Sequence, residues 1–311
     1  MADGHADFLA KLDCPGDTTN SSTNTEAKSS HFSQKQLKPS SQKQLKPSSL
    51  TDSSYLPSST QQSQALFHYD ITLYPFDQLI YKIFQMAILP DKTFLPNSSN
   101  ISYSLAQLHT SLRGYTGRTN RSTFFKAWKL VLSKSCPLPL SMSQQFVTKR
   151  EELYFDFSRL LHKFVRHECA TILGCAPDDM YYQLKPTLRV IVPSTKSVGH
   201  SHTDYEYHHQ PGELNFWIPL TPVAGANSLH CESAPGVGDF SPMVAQHGQA
   251  IKFWGNQCQH YTVPNTTELT RVSFDFRVIE KRKFNAHFVD IRGKETKFLV
   301  GGYYQDSCKI H

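Results

Sequence analysis

The sequence predicts a mainly β fold with packed helices, preceded by a low-complexity tail. Two observations carry this. From Tyr181 onward, short segments rich in β-branched and aromatic residues follow one another between Gly, Pro and Asn turns. Ahead of them the apolar residues recur at helical spacing instead.

Residues 1–65 are rich in Ser, Thr, Gln and Lys, and the octapeptide SQKQLKPS occurs twice in tandem, at 33–40 and 41–48. So few apolar side chains cannot offset the entropy of ordering, so this segment is expected to be a disordered tail. Two repeats are also too few for a solenoid. Residues 66–311 read as one domain, of which 66–180 is mostly helical support. Phe76, Leu79, Ile80, Ile83, Phe84 and Ala87 mark one buried helix face, closed by Pro90. Leu153, Phe157, Leu160, Leu161, Phe164 and Val165 mark a second, ending near Gly174. Strands are expected at 182–192, 213–220, 228–232, 249–254, 260–263 and 269–279. With no helical period between them, they argue for an antiparallel barrel or sandwich, helices packed outside.

A chain of 311 residues that is 39% hydrophobic can bury a substantial core. No stretch approaches the roughly 18–20 apolar residues of a membrane span, and no basic-then-apolar leader opens the chain. The seven cysteines are scattered without a CxxC pair, which fits reduced thiols and a cytoplasmic protein. No acidic residue lies between Asp91 and Glu151, whereas Arg113, Arg118, Arg121, Lys126, Lys129, Lys134, Lys149 and Arg150 are basic. Such a stretch is either an anion site or a solvated face. It carries no nucleic-acid motif, so the expected partner is a small-molecule substrate, with neither nucleic acid nor membrane. Nothing in the sequence fixes the oligomeric state.

The segment 270–279 is the most informative. Arg271, Ser273, Asp275 and Arg277 alternate with Val272, Phe274, Phe276 and Val278, so a strand here has one polar and one apolar face. If helices cover the apolar face, the polar face turns inward, toward a ligand. Upstream, His202-Thr203-Asp204 puts an imidazole and a carboxylate on one side of an extended segment. A second histidine from another strand would complete the two-His, one-carboxylate face that suits iron(II) and leaves positions open for a cosubstrate and O2. His208, His209, His230, His247, His260 and His287 are the candidates. His260 is preferred because it starts a strand and stands eleven residues before Arg271, with Ser273 two further on. A 2-oxoglutarate bound to that metal would extend its distal carboxylate toward such an Arg-x-Ser pair. Zinc also accepts His and Asp, but it would leave a buried Arg271 without a task.

At these residues the chain resembles the phytanoyl-CoA-hydroxylase-like iron and 2-oxoglutarate oxygenases, most closely the group named after a streptomycin-biosynthesis oxygenase. The likeness lies in HTDYEYHHQPGELNFWIPLTP at 202–222, NSLHCESAPGVGDF, residues 248–260, Asn265, TRVSFDFRV and the late Gly301-Gly302-Tyr303-Tyr304. It implies a double-stranded β-helix (a cupin-like jelly roll), with His202, Asp204 and His260 on Fe(II) and Arg271 and Ser273 on 2-oxoglutarate. It also implies a dioxygenase that hydroxylates an aliphatic C–H with release of succinate and CO2. Halogenases of that superfamily leave the carboxylate position to chloride, so Asp204 favours oxygenation. Asn215 is a further candidate for the cosubstrate, and Arg189, Glu213, Tyr205 and Trp217 for the substrate, each against a packing or ion-pair role. His208 and His209 are read as a lid or as plain loop residues. The competing reading of the whole is a catalytically silent jelly-roll binding protein.

Overall fold

The computed structural model describes residues 53–88, 100–111, 117–132, 143–196 and 199–309. Its strands are β1 (Ala65–His68), β2 (Met180–Gln183), β3 (Thr187–Ile191), β4 (Gly199–His202), β5 (Leu214–Pro219), β6 (Leu229–Cys231), β7 (Ser241–Pro242), β8 (Gln249–Phe253), β9 (His260–Thr262), β10 (Arg271–Glu280) and β11 (Tyr304–Asp306). The longer helices are α1 (Phe76–Ile88), α2 (Ile101–Ala106), α3 (Gly117–Leu132) and α4 (Gln144–Phe164). A large sheet runs β1-β8-β5-β10-β2-β11, with β3 also paired to β10, and a small one runs β4-β9-β6-β7. Every strand pair in both is antiparallel.

The alternation in β10 does what its pattern requires. Phe274 packs against Phe76 of α1 and Phe157 of α4, ring centroids 5.0 and 5.8 Å apart, and Phe276 against Phe164. Each buried ring contributes about 2 kcal/mol of transfer free energy. The opposite face carries Arg271, Ser273, Asp275 and Arg277 toward the small sheet. In α4, the Ser143 side chain caps the start by accepting from the Phe146 N–H. The helix continues through a π turn (Val165–Cys169) and stops at Gly174, whose φ of 66° is the left-handed conformation glycine adopts most easily.

The structure departs from the expected boundaries in three places. Folded chain begins by Ser53 rather than after residue 65, and β1, within the stretch expected to be helical, extends the large sheet. Gln61 explains the early start. It is 6% exposed; its amide donates to Leu173 O (2.7 Å) and Glu280 Oε1 (2.8 Å) and accepts from Lys283 Nζ. A polar residue with every group answered folds in without any apolar signal. The strand expected at 182–192 is broken into β2 and β3 around Pro186, which cannot donate to a ladder. The short strands β4, β7 and β11 lack a readable alternation. The octapeptide repeat, Cys14, Pro90, Arg113, Lys134 and Cys136 lie outside the described residues. Among the described residues Cys169, Cys175, Cys231, Cys258 and Cys308 are free thiols, and no helix is long and apolar enough to cross a membrane.

Lys252, 2% exposed, donates to Gln61 O (2.6 Å) and Thr60 O (3.4 Å), and burial draws its pKa down from 10.5 to about 8. Between those values the unfolded chain holds the proton and the folded chain releases it, so this group makes stability rise with pH from about 8 to 10.5. Below that window its charged form opposes folding. Lys252→Met should therefore flatten the pH dependence of Tm: relative to the variant, the wild-type protein gains a few degrees between pH 7 and 10. Parallel curves would show that Lys252 is not held as described.

Candidate metal centre

The register of the small sheet sets the first half of the site. His202 on β4 lies directly across from His260 on β9, with ring centroids 4.5 Å apart. Each imidazole is tethered alike: Nδ1 donates to a carbonyl two residues earlier, His200 O at 2.8 Å and Cys258 O at 3.0 Å. A carbonyl only accepts, so Nδ1 carries a proton, which in the neutral imidazole leaves the lone pair on Nε2. Asp204 follows β4 on a 3-10 turn whose backbone docks onto the loop after β8. Its N–H donates to Gly255 O (2.9 Å) and that of Tyr205 to Asn256 O (3.2 Å). A Cβ on Gly255 would stand 2.7 Å from the Phe253 ring and 2.9 Å from Asn215 Oδ1, so only glycine lets the loop pass this close. One ligand atom from each of His202, Asp204 and His260 fits within 4.8 Å of the others.

Electrostatics then fix the charge of this donor set. Burial raises the Asp204 pKa, but Arg277, assisted by His260 and His209, outweighs it and holds the carboxyl well below the usual carboxylate range. Burial pushes the His260 imidazole below its ordinary value, against the pull of Asp204. Imidazole nitrogens and an anionic carboxylate oxygen converging on one point suit a divalent cation.

Further along the same face of β10, Arg271 is 3% exposed and Ser273 is fully buried. Arg271 Nη1 donates to Asn227 O (3.1 Å), and the guanidinium lies 5.7 Å from the Trp217 ring centroid. Its Nε and the Ser273 hydroxyl have no hydrogen-bond partner among the described residues. Burial, reinforced by Arg189, pulls the Arg271 pKa down to about 9. A buried guanidinium with an unanswered donor beside an unanswered hydroxyl is a cradle for a carboxylate.

No protein-family model matches the chain. The streptomycin biosynthesis protein StrG of Streptomyces griseus is 37% identical over 151 residues, which span 49% of this chain and 72% of that protein. The chain belongs to the StrG family. Solved structures that resemble it include the non-heme monooxygenase ThoJ in complex with nickel (20% identical, 39% of this chain and 52% of that one, TM-score 0.33). CytC3 with Fe(II) and alpha-ketoglutarate is 12% identical over 71% of this chain and 74% of that one, TM-score 0.37. EvdO2 from Micromonospora carbonacea var. aurantiaca, complexed with 2-oxoglutarate, is 13% identical over 44% and 64%, TM-score 0.31. The chain thus spans about half of ThoJ and somewhat under two thirds of EvdO2.

Within this StrG-family chain the other histidines have separate surroundings. His209 lies 2.8 Å from Glu213 Oε2 and stacks on Phe298, His208 faces Asp290 at 3.3 Å, and His230 stacks on Tyr261. His247 lies 3.6 Å from Asp77, and His287 is exposed near Glu295. His209 is buried, so it is no exposed lid residue. Several candidates have partners within the protein. Asn215 donates to Asp204 Oδ2 (2.7 Å) and so supports the carboxylate, while its own Oδ1 has no hydrogen-bond partner among the described residues. Glu213, 1% exposed, accepts from the Gln210 N–H through Oε1, and its Oε2 lies 2.8 Å from His209 Nδ1. Trp217 lies beneath Arg271. Tyr205 follows Asp204 on the docked turn, but the ring against His202 is that of Tyr207, edge-on at 5.0 Å. Arg189 is half exposed, 3.9 Å from Asp275. Arg150, from the basic stretch, is buried and donates to Leu130 O, joining α4 to α3, while Lys149 pairs with Glu152. Arg277 pairs with Asp204 (Nη2 at 2.9 Å), with Asp275, two residues away in sequence, at 3.9 Å. Only cross-sheet distance reveals that contact, since 73 residues separate the pair.

Proposed function

We propose that this protein is an iron(II)- and 2-oxoglutarate-dependent oxygenase of the double-stranded β-helix class, acting on an aliphatic C–H of a small-molecule metabolite. The observation that carries this is Arg271: a buried cation with an unpaired donor, beside Ser273, on the strand face that also reaches the metal ligands. His202, Asp204 and His260 would hold the metal, and Arg271 with Ser273 the distal carboxylate of the cosubstrate. When bound, iron and 2-oxoglutarate supply O2-dependent oxidation, with succinate and CO2 as coproducts. The chain's own residues orient and neutralise. The Cys258 and His200 carbonyls aim the imidazoles, and Arg277 fixes the carboxylate. The name of the Streptomyces griseus relative, given for the making of a small molecule, supports a metabolite over a protein substrate.

Oxygen-dependent succinate formation from 2-oxoglutarate, screened with Fe(II) against a metabolite extract, tests the reading. Turnover should depend on one fraction of the extract and vanish in His202→Ala. Succinate formation at the wild-type rate in His202→Ala would overturn the ligand assignment.

A further inference from the structure

We propose that Arg277 is a positioning residue that, with Asn215, restricts Asp204 to a single metal-binding oxygen and so keeps one coordination position open. Asp204 Oδ2 accepts two hydrogen bonds, from Arg277 Nε at 3.0 Å and Asn215 Nδ2 at 2.7 Å, and Arg277 Nη2 stands 2.9 Å from the same oxygen in the ion pair. Those donors occupy the lone pairs of that oxygen. Oδ1 takes no hydrogen bond among the described residues and lies 3.8 Å from His260 Nε2. The two oxygens of one carboxylate are thus assigned opposite tasks by the large sheet, since Arg277 on β10 and Asn215 on β5 are direct cross-strand partners.

The guanidinium cannot swing away. Nη1 donates to Gln183 Oε1 at 3.2 Å and reaches the Tyr303 hydroxyl at 3.5 Å. Glu213 and Asp275 hold it from either side at 3.8 and 3.9 Å. A fork pinned at both ends gives Asp204 one orientation. This matters because a carboxylate can also chelate through both oxygens. In a six-coordinate site that would leave about two free positions instead of about three, too few for a two-oxygen cosubstrate and O2 together.

The inference rests on the metal-ligand reading above, and its test separates the two. Mn(II) is added to the full-length protein without 2-oxoglutarate, and the water molecules on the bound ion are counted by water-proton relaxation. The wild-type protein should show about three, Arg277→Met about two at full metal occupancy, and Arg277→Lys about three, because one ammonium plus Asn215 still fills both lone pairs of Oδ2. A wild-type count near two overturns the proposal without any variant, which covers the case that Arg277→Met does not fold. An unchanged count in a folded, metal-loaded Arg277→Met overturns it equally. Undiminished Mn(II) binding by His260→Ala would instead bring down the ligand assignment beneath it.

Discussion

Arg271→Gln is expected to raise the 2-oxoglutarate concentration needed for half-maximal turnover by a factor on the order of 10² while metal binding stays intact. The magnitude follows from the burial of the group. Arg271 is 3% exposed and has no ion-pair partner within 4 Å among the described residues. Its full charge is therefore available to an incoming carboxylate, and losing a buried charge-assisted pair costs about 3 kcal/mol. Gln keeps one amide donor but neither the charge nor the fork. Metal binding should survive because Arg271 makes no contact with Asp204, whose guanidinium partner is Arg277. Titration of turnover with 2-oxoglutarate, beside thermal shifts with Mn(II) alone, separates the effects. A near-wild-type cosubstrate requirement would move the carboxylate cradle elsewhere on the sheet.

His260→Ala should abolish turnover and also the rise in Tm on adding Mn(II) or anaerobic Fe(II). Its Nε2 is the member of the donor set closest to Asp204 Oδ1, and removal leaves one imidazole and one oxygen. Two protein donors do not compete with water for a divalent cation as three do. The apo variant should fold, because His260 opens β9, a three-residue strand of the small sheet held by its backbone pairing to β4 and β6, and its side chain is not part of the aromatic packing against the helices. Differential scanning fluorimetry with and without metal is the measurement. A metal-induced rise equal to the wild-type one would exclude His260 as a ligand.

What the sequence made legible follows its local patterns. β10 was readable because polar and apolar residues alternate along it, and the inward turn of its polar face follows once helices claim the other face. His260 is preferred for its strand start and its spacing to Arg271 and Ser273, and the pairing of β4 with β9 places it across from His202. Arg277 was not readable in this way. Its nearest acidic neighbour in sequence is Asp275, whereas its partner lies on the loop after β4, set by how the two sheets face each other. Asn215 and Glu213 share one face of their strand by alternation, but alternation cannot tell whether such a group meets a ligand or another side chain. Gln61 lies in a stretch whose composition resembles the tail, and its burial depends on Glu280, Lys283 and Leu173, all far along the chain. The β4 segment Gly-His-Ser-His has no apolar residue to declare it a strand.

The donors come from both sheets. His202 and His260 belong to the small sheet, while Asp204, although it follows β4, is anchored to β5 and β10 of the large one. An ion bound there would act as a rivet between the two layers. Its occupancy adds RT ln(1 + [M]/Kd) to the stability of the closed pair. Hydrogen exchange should register this as a mechanical change: amides of β4 and β9 slow when metal is added, although no backbone bond in either strand is made by the ion. In the cell, iron supply would then set how long the protein survives as well as how fast it turns over.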